Sequence, residues 1–221
     1  MKRIFLAVLA VAALMNNEAN AQKGFSLSVK ATPQISFLQN DDDFENTSLL
    51  AKATFNTSIG IGAGYNLTNR LGVGLDVLYS LQGKRYEIYG VETKQKIKQK
   101  INYVKIPVYF SYNGDASRTL SFIGKVGPQV SILADSKLVD KDGEDIIPDT
   151  KDRYNDVTFG AMAAAGPQFK LNNKVFLTSM LRFDYDFTNA EDDSYHYYPV
   201  GRAKTYNGTL GLEVGLKYLL R

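Results

Sequence analysis

The stretch TFNTSIGIGAGYNL, Thr54 to Leu67, decides how the rest of the chain is read. Phe55, Thr57, Ile59, Ile61, Ala63, Tyr65 and Leu67 form one alternating series, which is mostly apolar. Thr54, Asn56, Ser58, Gly60, Gly62, Gly64 and Asn66 form the other, which is small or polar. Only an extended strand sends successive side chains to opposite faces, so this pattern predicts a β-strand with one greasy face.

The same rule runs outward in both directions. Leu71 to Gln82 sets Leu71, Val73, Leu75, Val77, Tyr79 and Leu81 against Gly72, Gly74, Asp76, Leu78, Ser80 and Gln82. Six noisier stretches repeat it: 25–37, 100–112, 120–132, 157–171, 175–187 and 206–220. Their polar faces carry Lys30, Lys105, Lys125, Arg182, Asp184, Asp186, Glu213 and Lys217. No segment after residue 21 has a helical period, so the chain is expected to be all-β with eight strands.

The connections alternate in length. Three are short: Thr68-Asn69-Arg70, Asn113 to Ser117, and Asn172-Asn173-Lys174. Four are longer and more polar: 39–52, about 87–99, about 134–155 and about 188–205. Eight antiparallel strands with alternating short and long links describe an up-and-down barrel, with both termini on the side of the short turns.

The start of the chain is read apart from the fold. Met1-Lys2-Arg3, the apolar run Ile4 to Met15 and the close Ala19-Asn20-Ala21 have the layout of a cleavable export signal. The apolar run falls short of the roughly 20 residues a spanning helix needs. Residues 1–21 are therefore expected to be a signal peptide and 22–221 a single barrel domain. Removing Lys2, Arg3 and Glu18 lowers Lys+Arg from 26 to 24 and Asp+Glu from 23 to 22, which leaves a net charge of +2. So balanced a charge gives no reason to expect nucleic acid as a partner. With no Cys there is no disulfide framework and no lipid-bearing thiol after the signal.

Two architectures fit eight such strands. A soluble, lipocalin-like calyx turns its apolar face inward around a ligand; a transmembrane barrel turns it outward to lipid. Gly, Ser, Thr and Asn on the polar face suit the narrow interior of eight strands, and closure satisfies every backbone group, as lipid demands. Tyr65, Tyr79, Tyr112, Tyr185, Tyr206 and Tyr218 lie on the apolar face, several near strand ends where interfacial rings belong. The expected fold is thus an eight-stranded antiparallel up-and-down transmembrane β-barrel in a bacterial outer membrane. Its partners are then the lipid bilayer and, during assembly, the outer-membrane insertion machinery. Pro33, Pro107, Pro128 and Pro167 sit inside strands, where each removes a ladder donor, so bulges or breaks are expected there.

Several segments resemble the PorT-type family of outer-membrane β-barrel proteins common in Bacteroidota. They are Leu71 to Asp76 leading to Tyr79 and Gln82-Gly83-Lys84, the strand Tyr103 to Pro107, and Gly127-Pro128 running to Leu133. The resemblance covers nearly all of 22–221 and implies the barrel fold. For the founding member it also implies a link to the secretion of cell-surface proteins.

Candidate functional residues fall in two places. The inward charges Asp76, Lys105, Lys125, Arg182, Asp184, Glu213 and Lys217 must be paired, because a lone buried charge is costly. They are expected to form a structural interior network in which Glu213 meets Lys105, Arg182 or both. Tyr195, Tyr197, Tyr198 and Arg202, in the last long loop, are residue types favoured in contact surfaces. They suggest an adhesin or a protein partner at the extracellular loops. His196 is the single His; it lies in a long loop with Asp184 and Asp186 in its region, but no catalytic constellation forms, so no catalytic residue is assigned and no enzyme is expected. The acidic runs Asp41-Asp42-Asp43 with Glu45 and Asp140 to Asp145 read as solvated loops; the second has its Gly too early for an EF-hand. No metal or cofactor is expected.

Overall fold

A computed structural model describes residues 24–42, 49–89, 94–115 and 117–220. The expected signal peptide lies outside the described residues. The chain runs β1 (Gly24–Gln39), β2 (Leu49–Asn66), β3 (Leu71–Tyr89), β4 (Lys94–Asn113), β5 (Leu120–Val139), β6 (Asp145–Ile147), β7 (Val157–Lys170), β8 (Val175–Asp186) and β9 (Tyr206–Leu220). Every pairing is antiparallel. Eight strands close into a ring, β1-β2-β3-β4-β5-β7-β8-β9, sealed by β1 against β9. The ninth, β6, is a three-residue addition to the upper end of β5.

The faces are those of a membrane barrel and not of a calyx. Val29, Ile61 and Phe110 are 56%, 63% and 69% exposed, while Asp76 and Glu213 are 0% exposed. Burying polar groups while leaving such a belt of aliphatic surface outside is unfavourable in water and favourable in hydrocarbon. Aromatic residues cluster at both margins of this belt. Phe25 packs on Tyr65 at 4.8 Å between ring centroids near the short turns. Tyr185 meets Phe187 at 5.8 Å and Tyr206 at 6.1 Å near the long loops.

The short turns are held by their own side chains. Thr68 Oγ1 accepts from the backbone N–H of Arg70 (3.1 Å) and Leu71 (2.8 Å). Asn172 Oδ1 accepts from Lys174 and Val175 (2.8 Å each), and Asp115 Oδ1 from the N–H of Ser117 (2.9 Å). Such local acceptors fix tight connections between adjacent strands.

Two expectations are refined. The segment expected as a loop at 87–99 is mostly a hairpin extension: β3 and β4 stay in register from Leu71↔Tyr112 to Tyr89↔Lys94. Beyond the membrane nothing requires one face of a strand to be apolar, so the period of two fades while the hydrogen bonding continues. β2 and β5 lengthen in the same way. Second, of the bulges or breaks expected at the prolines, it is breaks that occur. Beside Pro33, Pro107, Pro128 and Pro167 one ladder skips a pair or two and resumes in the same register. The register shifts fall elsewhere, between Ala53 and Ser58, between Asn102 and Tyr103, and between Leu138 and Val139 where β6 joins.

Gly127-Pro128-Gln129 and Gly166-Pro167-Gln168 repeat one local arrangement. In both copies Pro faces outward and Gln is buried. A Cβ on Gly127 would collide with the Val108 carbonyl oxygen, and one on Gly166 with that of Ser179. Each glycine lets the neighbouring backbone approach where the wall curves.

Candidate functional site

The interior is filled in layers. Its centre is a belt of charge. Glu213 on β9 lies 2.8 Å from Arg182 of β8, 3.2 Å from Lys125 of β5 and 3.8 Å from Lys30 of β1. Arg182 also forks onto Asp184, with Nη2 2.8 Å and Nε 3.0 Å from Oδ1. Asp184 in turn accepts from Thr209 Oγ1 at 2.8 Å and has Lys105 at 3.8 Å. Asp76 receives Lys30 Nζ at 2.5 Å and the Tyr109 hydroxyl at 2.9 Å. The Tyr109 ring takes Lys125 on its face at 5.0 Å. All of these side chains are nearly inaccessible to solvent. Four cations thus face three carboxylates, and each carboxylate accepts more than one bond, as buried ions require.

The expected partners of Glu213 divide. Arg182 is one; Lys105 is not, because it stands over Asp184 instead. Lys217 is buried but outside the belt, donating to Asn113 Oδ1 at 2.7 Å. Two members of the belt, Lys30 and Tyr109, lie outside the network expected from the sequence. Asp186 forms a separate knot, accepting from Thr158 (2.9 Å), Ser131 (3.3 Å) and Gln129 (3.5 Å). The signal for each was its place on a polar face; what was missing was any way to tell a charged neighbour from a distant one.

Apolar clusters close the belt on either side. Leu38, Ile101, Tyr103, Leu133 and Tyr154 pack together toward the long loops. Tyr109, Ile123, Met162, Ala164 and Met180 pack at the level of the belt, and Phe176 with Leu219 at the end near the short turns. Between belt and turns there remains a cavity of about 30 Å³, bordered by Ser28, Tyr109, Asn113 and Lys217. That is space on the scale of a water molecule.

Above the upper cluster the long loops enclose an open vestibule of about 590 Å³. Tyr86, Tyr154, Tyr195, Tyr197 and Tyr198 border it, with Arg153, Glu191 and Arg202. Tyr195, Tyr197, Tyr198 and Arg202 are therefore brought together. Arg202 is held by Glu191, at 2.6 Å from Nε and 2.9 Å from Nη2. Arg153 lies 6.0 Å over the Tyr195 ring, and Tyr195 meets Tyr197 edge-on at 5.8 Å. Tyr197 is 76% exposed. Burial holds the Tyr154 phenol well above the usual tyrosine range, and hydrogen bonds from Ser194 hold the Asp192 carboxyl below its own.

His196 sits edge-on to Tyr197 at 4.7 Å in this loop, whereas Asp184 and Asp186 are bonded within the barrel. Of the acidic loops, Asp43 and Glu45 lie outside the described residues. Asp140 Oδ1 accepts from the N–H of Asp142 and of Glu144, at 2.9 Å each, in a local turn. Among the described residues no cluster of three or more His, Cys, Asp or Glu side chains is arranged to hold a metal.

A ring of eight tilted strands, greasy outside and packed with paired charge inside, defines a transmembrane β-barrel protein with a closed core. Residues 4–218 match the family model described as outer membrane protein beta-barrel domain, and the chain belongs to that family. It is an integral protein of the bacterial outer membrane. Among solved structures it is similar to a major outer membrane protein from Thermus thermophilus, at 14% identity and a TM-score of 0.50, over 88% of this chain and 98% of that one. It is also similar to OprG from Pseudomonas aeruginosa, at 15% identity and 0.49, over 89% and 96%. Neisserial surface protein A follows at 14% identity and 0.45, over 92% and 99%. At such identities the likeness speaks to fold alone. No curated protein matches the chain.

Proposed function

We propose that this protein is a closed, rigid barrel that presents a docking vestibule at the cell surface, and that it is not an enzyme. The observation that carries this reading is the contrast between the two ends of the lumen. The core is packed and ion-paired, yet the mouth opens into an aromatic vestibule of about 590 Å³ in which Glu191 fixes Arg202. That volume lies in the range of ligand-binding clefts. Tyrosine and arginine are the side chains that most often anchor binding surfaces. Export by removal of residues 1–21 and assembly by the outer-membrane insertion machinery complete the reading.

The resemblance to PorT-type barrels supports a second role, as an accessory to protein secretion. The segments that carry it lie in β3, β4 and β5, where they build the wall and the charge belt. A triple substitution, Tyr195→Ala with Tyr197→Ala and Tyr198→Ala, separates the two in cells. Loss of surface attachment with normal barrel assembly and normal secretion supports docking. Loss of secreted surface proteins with attachment intact supports the accessory role and overturns the first.

A further inference from the structure

On β4 the outward series Tyr112, Phe110, Val108, Ile106 and Val104 is followed by Asn102, Lys100 and Lys98. On β3 the series ending in Tyr79 and Leu81 is followed, past Gly83, by Arg85. The change from apolar to basic thus occurs at one height on adjacent strands, because Leu81 pairs with Asn102, Gly83 with Lys100 and Arg85 with Lys98. On β5, Lys137 pairs with Lys100 and adds a fourth cation, partly offset by Asp145 at 3.0 Å.

Arg85 and Lys98 stand directly opposite each other in the ladder, an arrangement of like charges that weakens a sheet unless an anion lies between them. Arg85, Lys98 and Lys100 meet no carboxylate among the described residues; Lys98 Nζ donates to the side-chain Oδ1 of Asn56, at 3.4 Å. Four residues of strand separate Leu81 from Arg85, about 13 Å of chain and about 10 Å of height once the tilt is allowed for. The polar headgroup layer is about 5–8 Å deep on each side of a bilayer, and long basic side chains bend toward it. These strand ends lie on the side of the long loops, which is the outer leaflet.

We propose that Arg85, Lys98 and Lys100 form a docking strip for the phosphate groups of a glycolipid in the outer leaflet. The strip clamps the lipid against the wall of β3 and β4: its acyl chains lie along Val104 and Leu81, and its phosphates are shared between the opposed cations. The site is separate from the vestibule and does not depend on it.

The full-length protein is reconstituted in phosphatidylcholine vesicles containing either bis-phosphorylated lipid A or its dephosphorylated form. It is then re-extracted in mild detergent, and retained glycolipid is measured by mass spectrometry. Wild type is compared with the triple variant R85Q/K98Q/K100Q and with a control that loses three charges in the loops, K141Q/K151Q/K204Q. Wild type and control retain the phosphorylated lipid, the triple variant retains on the order of tenfold less, and none retains the dephosphorylated form. Equal retention by the triple variant, or equal retention of the dephosphorylated lipid, overturns the proposal. Should the triple variant lose its heat-modifiable gel mobility, Arg85→Gln alone is measured, and unchanged retention there counts against the strip equally.

Discussion

Lys30 Nζ lies 2.5 Å from Asp76 Oδ2 although their strands are not neighbours. β2 runs between them, and at that height its inward residues are Gly60 and Gly62. The ion pair crosses a strand that has no side chain in the way. A Cβ on Gly62 would collide with Asp76 Oδ1 and stand 2.8 Å from Ser28 Oγ. The glycine row that made Thr54 to Leu67 look merely small-faced is the floor on which the charge belt is laid.

Gly60→Ala and Gly62→Ala are therefore expected to destabilise the barrel by about 1–3 kcal/mol, as overpacking does. Gly60→Ala is the more severe, since its Cβ meets the Val77 carbonyl oxygen and a backbone cannot rotate away. Thermal unfolding in detergent, followed by gel mobility, ranks the two. A Gly60→Ala protein as stable as wild type rules out the close approach.

Glu213→Gln removes the carboxylate that Arg182, Lys125 and Lys30 share. Breaking a buried network on one side leaves uncompensated charge and is expected to cost about 3–5 kcal/mol. Lys105→Met acts on Asp184, which keeps its closer partner Arg182, and should cost less. Urea or thermal titration of both variants gives the order, and the reverse order contradicts this pairing.

Leu181 is 61% exposed at the middle of β8. Leu181→Arg places a charge near the centre of the hydrocarbon and should destabilise the barrel by about 2–4 kcal/mol. Leu181→Phe should be nearly silent. Measuring folding yield into vesicles tests the outward face directly, and a tolerated arginine means that Leu181 does not face lipid.

A core packed with Tyr103, Tyr109, Met162 and Arg182 should pass no solute. Planar-bilayer recordings of wild type are expected to show no discrete conductance, because eight strands leave an interior just wide enough for side chains. Stable conductance steps would require the upper cluster of Leu38, Ile101, Tyr103, Leu133 and Tyr154 to open.

The eight barrel strands, the three short turns and the inside-out faces were legible because each depends on a local signal, whereas most of the long link expected at 87–99 was not a loop. The ends of β3 and β4 were not legible, since above the membrane nothing requires one face to be apolar. The belt was half legible. Glu213 and Arg182 could be paired from their polar faces, but Lys105 was matched to the wrong carboxylate and Lys30 was overlooked.

By itself the sequence determined which residues face lipid and which face the lumen, because side-chain alternation follows from the geometry of a single strand. Only the closed ring decided which charges meet. Lys30 reaches Asp76 across β2, and Lys125 reaches Glu213 across the lumen, because register and closure bring them to one height. Those contacts link residues 46 and 88 positions apart, and no local pattern encodes the stagger of eight strands around a barrel.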